Sequence, residues 1–137
     1  MTSRHQPYYD IVKKGNILFV EVKSLYEGDI AKQYQQDMVD LTHTMNKAPW
    51  ASLVTYHGSG VFTPEAEKHI VDITKFRVKH NMVANATVFL DSKQADLQQM
   101  QLRRIYASCR LPFYVFSDTQ SAENWLKDFL EKQPQVV

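Results

Sequence analysis

The chain has 137 residues, of which 44% are hydrophobic and 23% are charged, and its formal net charge is +1. That length fits one domain that buries most of its apolar surface, and the near-zero charge gives no global attraction to nucleic acid or to an anionic membrane. The single cysteine, Cys109, excludes an internal disulfide and is typical of a reducing compartment. We find no signal-peptide pattern and no apolar run of membrane-spanning length, so we expect a cytoplasmic protein.

One domain is predicted, because no repeat, low-complexity tract or Pro/Gly/Ser-rich linker divides the chain. The domain is expected to cover residues 8–132. Residues 1–7 and 133–137 are predicted to be tails.

Five β-prone segments predict strands. The first two are joined by Lys13-Lys14-Gly15-Asn16, whose glycine and asparagine suit a tight turn, so these strands are expected to form a hairpin. The third strand runs into the glycine-containing stretch His57-Gly58-Ser59-Gly60. The predicted strands cover residues 8–12, 17–23, 50–56, 86–90 and 113–116.

Four segments with apolar residues at helical spacing predict helices that follow the later strands. We expect Asp29 to cap the first helix, and Thr63 followed by Pro64 to begin the second. The residues predicted to face inward are Ile30, Tyr34, Met38, Leu41 and Met45; Ala66, Ile70, Ile73 and Phe76; Leu97, Met100, Ile105 and Cys109; and Trp125, Leu126, Phe129 and Leu130.

The resulting order of elements, ββαβαβαβα, predicts an α/β fold with a single mixed, mostly parallel sheet. In open sheets of this kind, ligands bind outside the carboxyl ends of the strands. The predicted loops at that end of the sheet cover residues 24–29, 57–63, 91–94 and 117–121.

This pattern resembles the SpoIIAA-like branch of the STAS fold, a group also similar to the lipid-binding SEC14 domain. The resemblance covers residues 8–131. It depends on the element order and on three motifs. These are the strand Trp50-Ala51-Ser52-Leu53-Val54-Thr55-Tyr56, the helix start Thr63-Pro64-Glu65-Ala66, and the ending Phe116-Ser117-Asp118 followed by Ala122-Glu123-Asn124-Trp125-Leu126.

The STAS resemblance implies a regulatory role, because members of the group include anti-sigma-factor antagonists. In these proteins a partner kinase phosphorylates a serine in an Asp-Ser-Ser-Gly motif at the start of the helix after the central strand. Here Thr63 stands at the aspartate, Pro64 and Glu65 at the serines, and Ala66 at the glycine, so the acceptor serine is missing. Glu65 places a negative charge in the first helical turn, where it either imitates a phosphorylated residue or stabilises the helix dipole.

Candidate binding residues lie in the loops that follow the second and third strands. If Tyr26 and Tyr56 stand at strand ends, they could wall an apolar pocket with polar tips. His57 and Ser59 lie in the next loop, but neither the histidines nor Ser59 has the partners at the spacing that a metal site or a nucleophile elbow requires. The candidate ligand-binding or partner-binding residues are Tyr26, Tyr56, His57, Ser59, Thr63 and Glu65.

We therefore predict a non-enzymatic regulatory or interaction domain that needs no cofactor and no metal. Its partner is expected to be another protein or a small apolar ligand, and a homodimer is compatible with the sequence. The alternative that the resemblance implies is a carrier of lipid or of another small hydrophobic ligand, similar to SEC14 domains. An enzyme is the third interpretation, and it requires His57, Ser59 or an acidic partner to converge in one pocket.

Overall fold

The computed structural model describes residues 3–24 and 26–134, which form six strands and four helices. The strands are Ser3–His5 (β1), Tyr9–Lys14 (β2), Ile17–Val22 (β3), Trp50–His57 (β4), Met82–Leu90 (β5) and Phe113–Phe116 (β6). The helices are Gly28–Thr42 (α1), Pro64–Lys79 (α2), Ala95–Ser108 (α3) and Thr119–Glu131 (α4). The α/β class with one mixed sheet is confirmed.

The strands pair in sequence order from β1 to β6. β1, β2 and β3 are antiparallel neighbours, whereas β3, β4, β5 and β6 run parallel. Gly15 has a φ of +61° in the turn between β2 and β3, a conformation that glycine adopts without a steric penalty. The parallel part of the sheet brings the carboxyl ends of β3, β4 and β5 to one edge, where Tyr56 lies in register with Val22 and Phe89.

The amino-terminal segment differs from the tail that the sequence predicts over residues 1–7. Residues 3–5 form the edge strand β1, which is antiparallel to β2, and Arg4 lies 3.8 Å from carboxylate oxygens of both Asp37 and Asp40 in α1. Three polar residues carry no apolar alternation, so this strand has no sequence signal of its own. At the other end of the chain, residues 135–137 lie outside the described residues.

The helices cover the two faces of the sheet unequally. Buried side chains of α1, α2 and α3 form one cluster with β2, β3 and β4, whereas Ala122 and Leu126 of α4 pack on the opposite face against β4 and β5. β4 is therefore buried on both faces, as its nearly continuous apolar sequence requires.

The sequence predicts the cap of α2 correctly and the cap of α1 incorrectly. Thr63 caps α2 as predicted, since its Oγ1 accepts a hydrogen bond from the Ala66 N–H at 3.1 Å and Pro64 is the first helical residue. Asp29 does not cap α1. Glu27 occupies the cap position without a side-chain hydrogen bond, and Asp29 lies in the first turn, where its charge favours the helix dipole.

The inward face predicted for α3 is wrong in its first half. Leu97 and Met100 are exposed by 45% and 59%, whereas Gln98 and Leu102 are buried. Gln98 lies four residues before Leu102 and therefore shares its helical face. A glutamine can occupy that buried position because its amide forms hydrogen bonds with the neighbouring loop, as described below.

β5 begins at Met82, four residues before the predicted strand 86–90. The sequence does not predict this start because Asn85 lies within it and asparagine is depleted in strands. In the fold Asn85 is fully buried and donates to Ser52 Oγ at 2.7 Å while accepting from the Thr87 hydroxyl at 2.7 Å. Among the described residues no helix is long and apolar enough to cross a membrane.

Candidate functional site

Four aromatic rings meet at the carboxyl ends of β4 and β5. Tyr56 and Phe89 are neighbours in register near the ends of these strands, and their ring centroids are 5.7 Å apart. Phe62, in the loop between β4 and α2, lies 6.3 Å from Tyr56 and 5.5 Å from Tyr26, which precedes α1. We call the space between these four rings the aromatic pocket.

The aromatic pocket is closed by Tyr26. Its ring lies against Gly60 so tightly that a methyl group in place of the glycine hydrogen would overlap the ring. The remaining cavity is about 10 Å³, room for one water molecule at most. Any larger occupant must therefore displace the Tyr26 ring.

The hydroxyl of Tyr26 is buried and has no hydrogen-bond partner among the described residues. Burial raises the pKa of this phenol to about 12, so it is neutral at physiological pH and can donate a hydrogen bond. Leaving such a hydroxyl unpaired costs about 1–3 kcal/mol.

Glutamine side chains of α3 fix the loop that covers the pocket. Gln98 Nε2 donates to the carbonyl oxygens of Gly58 and Gly60 at 3.1 and 2.7 Å. Gln101 binds both backbone groups of Phe62, accepting from its N–H at 2.8 Å and donating to its carbonyl at 2.9 Å. These bonds satisfy backbone groups that would otherwise be unpaired under the loop, and they hold Phe62 in the pocket.

The other sequence-predicted site residues lie around the pocket and not in it. Tyr56 points into the face covered by α1, α2 and α3, so the next residue, His57, points to the opposite face, where its Nε2 lies 3.1 Å from Glu21 Oε2. Ser59 Oγ accepts a hydrogen bond from the Lys93 N–H at 2.7 Å, and Thr63 caps α2. The structure brings together Tyr26 and Tyr56 alone from the predicted set.

Glu65 lies beside the start of a neighbouring helix. Its side chain is exposed overall, yet its carboxylate packs against Gly28, the first residue of α1, where a methyl group would overlap it. A carboxylate at this position interacts favourably with the positive end of the α1 dipole.

A buried arginine lies beneath the same helices. Arg77 of α2 is 1% exposed, and only its Nη2 has a hydrogen-bond partner, Thr74 Oγ1 at 3.4 Å. Its Nε and Nη1 have none among the described residues. Helical spacing predicts Phe76 on the inward face of α2, whereas Phe76 is partly buried and the next residue, Arg77, is the one that is fully buried.

Buried tyrosines surround Arg77. Tyr34 of α1, Tyr56 of β4 and Tyr106 of α3 are each less than 5% exposed. Burial raises the pKa of all three phenols, and the positive charge of Arg77 opposes that rise. The guanidinium is thus close enough to act on three phenols and to lower the pKa of Tyr34 and Tyr106 by hydrogen bonding, although its Nε and Nη1 form no well-oriented hydrogen bond.

Sequence reasoning misses four residues of this site, namely Arg77, Gln98, Gln101 and Phe62. Helical spacing contained the signal for two of them. Arg77 follows Ile70 and Ile73 at intervals of seven and four residues, and Gln98 precedes Leu102 by four. Helical spacing therefore indicates an inward position for both residues, although both are polar.

No family model matches the chain, and the search of curated proteins finds no match. Among the described residues, no group of three or more His, Cys, Asp or Glu side chains is placed to hold a metal ion. The site is therefore interpreted from its own geometry.

Replacing Gln101 with alanine should loosen the loop without unfolding the domain. The Phe62 N–H loses its side-chain acceptor, and we expect its hydrogen exchange to accelerate by up to about tenfold, the worth of one hydrogen bond. Amide exchange followed by NMR measures this. Gln99→Ala on the same helix is the control, and equal exchange at Phe62 in both variants would show that Gln101 does not fix the loop.

Proposed function

We propose that this chain is a non-enzymatic binding domain that takes a small, largely apolar ligand in the aromatic pocket. The observation that carries the proposal is the unpaired, buried hydroxyl of Tyr26 within a closed ring of aromatic side chains. A pocket of apolar walls with a few convergent polar groups is the usual form of a small-molecule site.

The chemistry of the pocket lining favours binding over catalysis. Its walls are aromatic rings, aliphatic carbon, glycine backbone and glutamine amides, without carboxylate, imidazole or thiol groups. The phenol of Tyr26 stays protonated at neutral pH because its pKa is raised to about 12, so it is neither an effective general base nor an effective general acid there. These groups can recognise shape and donate hydrogen bonds, but they offer no acid or base of suitable pKa.

The ligand enters, in this proposal, by displacing Tyr26. The ring of Tyr26 fills the space above Gly60, and its loop is joined to the next one by the hydrogen bond from the Thr63 N–H to the Tyr26 carbonyl at 3.0 Å. Movement of Tyr26 would therefore shift Thr63 and the first turn of α2. In this way, occupancy of the pocket would change the surface at the start of α2 to which a protein partner binds.

A STAS-type regulatory role without the serine switch fits this arrangement. The first turn of α2 exposes Pro64 and Glu65 at the positions of the family's serines. The two nearby hydroxyls, of Ser59 and Thr63, each accept a backbone hydrogen bond that holds the local structure. We propose that ligand occupancy replaces phosphorylation as the signal.

The second candidate, a SEC14-like carrier, uses the same pocket. It differs in how long the ligand stays, because a carrier retains its cargo through purification whereas a sensor exchanges it. Native mass spectrometry of freshly purified protein distinguishes the two functions by the presence or absence of a bound mass.

Filling the pocket should abolish binding of an apolar probe. Leu102 lines the cavity, and Leu102→Trp adds an indole to a space that holds about one water molecule. We expect the neutral fluorophore N-phenyl-1-naphthylamine to bind the wild-type chain saturably and to bind the variant at least about tenfold more weakly, the loss of a buried apolar contact.

Leu97→Trp is the matched control, because Leu97 lies on the same helix and is exposed. Equal binding of the fluorophore by wild type, Leu102→Trp and Leu97→Trp would contradict the proposed site. Absence of saturable binding by the wild-type chain would contradict the proposed function.

Incubation with ATP and an anti-sigma-factor kinase should leave the mass of the chain unchanged. The expectation follows from Pro64 and Glu65 standing at the serine positions and from the structural use of the Ser59 and Thr63 hydroxyls. Intact-mass analysis is the measurement. Stoichiometric phosphorylation within residues 57–66 would overturn the proposal that the switch does not use a phosphoacceptor.

A further inference from the structure

Arg77 places a positive charge in the core of the domain. Among the described residues it is the one charged side chain classed as buried, and none of the ion pairs found includes it. A buried charge without a counter-ion is strongly unfavourable in a folded protein, and removal of one partner of a buried pair is a recognised way to produce it. No carboxylate of the described residues therefore balances the charge of Arg77.

The unpaired donors have a definite geometry. Nε–H and Nη1–H of Arg77 form no well-oriented hydrogen bond, Nη2 makes only the 3.4 Å contact with Thr74, and the phenols of Tyr34 and Tyr106 are the polar groups nearest to hydrogen-bonding the guanidinium. A planar guanidinium offers its donors as a fork that matches the two oxygens of a carboxylate. The surrounding phenols of Tyr34 and Tyr106 can add hydrogen bonds from their hydroxyl groups.

Tyr56 connects Arg77 to the aromatic pocket. Its ring packs against Phe62 and Phe89 in the pocket wall, and its phenol lies near those of Tyr34 and Tyr106 and near the Arg77 charge. Three of the four buried side-chain polar atoms without partners belong to Tyr26 and Arg77, both of which act electrostatically on the Tyr56 phenol. The fourth is Thr42 Oγ1, at the end of α1.

We propose that Arg77 binds the carboxylate of the ligand whose apolar body occupies the aromatic pocket. This inference rests on the proposed function and names the class of ligand, a small apolar monocarboxylate. One negative charge neutralises the one buried positive charge. A phosphate group would bring about one and a half to two negative charges at neutral pH and leave the excess buried.

The test compares an acid with its uncharged amide. Phenylacetate and hexanoate are titrated into the ¹⁵N-labelled chain beside phenylacetamide and hexanamide, with inorganic phosphate as a separate arm, and the Arg77 Nε–H resonance is followed by NMR. We expect saturable shifts of that resonance with the acids, and affinities at least about tenfold above those of the amides, as a charge-assisted hydrogen bond provides. Phosphate alone should not shift it.

Arg77→Met is the decisive variant. It should bind acid and amide equally, and without ligand it should be at least as stable as the wild type, because an unpaired buried charge is replaced by an apolar side chain. Arg103→Met removes an exposed charge from α3 and should leave the preference for acids intact. Arg77→Lys keeps the charge but loses the planar pair of N–H donors that matches a carboxylate, and should retain a reduced preference for acids.

Three results would overturn the inference, namely equal affinity of acid and amide for the wild-type chain, a preference for acids that survives Arg77→Met, and a preference for phosphate. Each of them leaves the proposed function standing if N-phenyl-1-naphthylamine still binds and Leu102→Trp still abolishes its binding. Failure of that fluorophore to bind is the result that removes the proposed function itself.

Discussion

The burial of strand β4 on both faces is the constraint on which the rest of the structure depends. The strand is paired in parallel on both edges and buried on both faces, so helices must cover both sides of it. The α1–α2–α3 layer and the single helix α4 meet that requirement. The same arrangement brings the ends of β3, β4 and β5 together, and with them Tyr26, Tyr56, Phe62 and Phe89.

The elements that the sequence predicts correctly are those whose local chemistry and tertiary role agree. Thr63 and Pro64 begin α2 in the fold as in the prediction, and Ile70 and Ile73 face the core. The glycine and asparagine after Lys14 form the predicted hairpin turn. In these cases capping, turn geometry and apolar spacing indicate the same structure, which is the condition for a reliable local prediction.

The prediction fails where a polar residue takes a buried position. Gln98 occupies the inward face of α3 because loop carbonyls accept its hydrogen bonds, and Asn85 stands inside β5 because Ser52 and Thr87 pair with it. Apart from Thr87, these partners lie 33 to 40 residues away in the sequence and cannot be inferred from composition. The candidate site shows the same effect. Tyr26 and Tyr56 are predicted from their strand-end positions, whereas a cation near the end of a helix, such as Arg77, is expected to complement the helix dipole and not to enter the core.

Polar atoms buried without partners are the physical basis of the functional proposal. Packing alone would favour phenylalanine at position 26 and an aliphatic residue at position 77, since both would remove a desolvation cost. The structure instead retains the Tyr26 phenol at the pocket and the buried Arg77 guanidinium near the Tyr56 phenol. Stability given up at a concave site is commonly associated with binding.

The most direct test of this account is the free energy of unfolding of Tyr26→Phe, measured by urea denaturation of the ligand-free chain. If the Tyr26 hydroxyl is buried and unpaired until a ligand binds, its removal should stabilise the chain by about 1 kcal/mol. Tyr8→Phe, at an exposed position, should have no effect. A Tyr26→Phe variant less stable than the wild type would show that the hydroxyl already has a partner in the free protein, and would contradict the account.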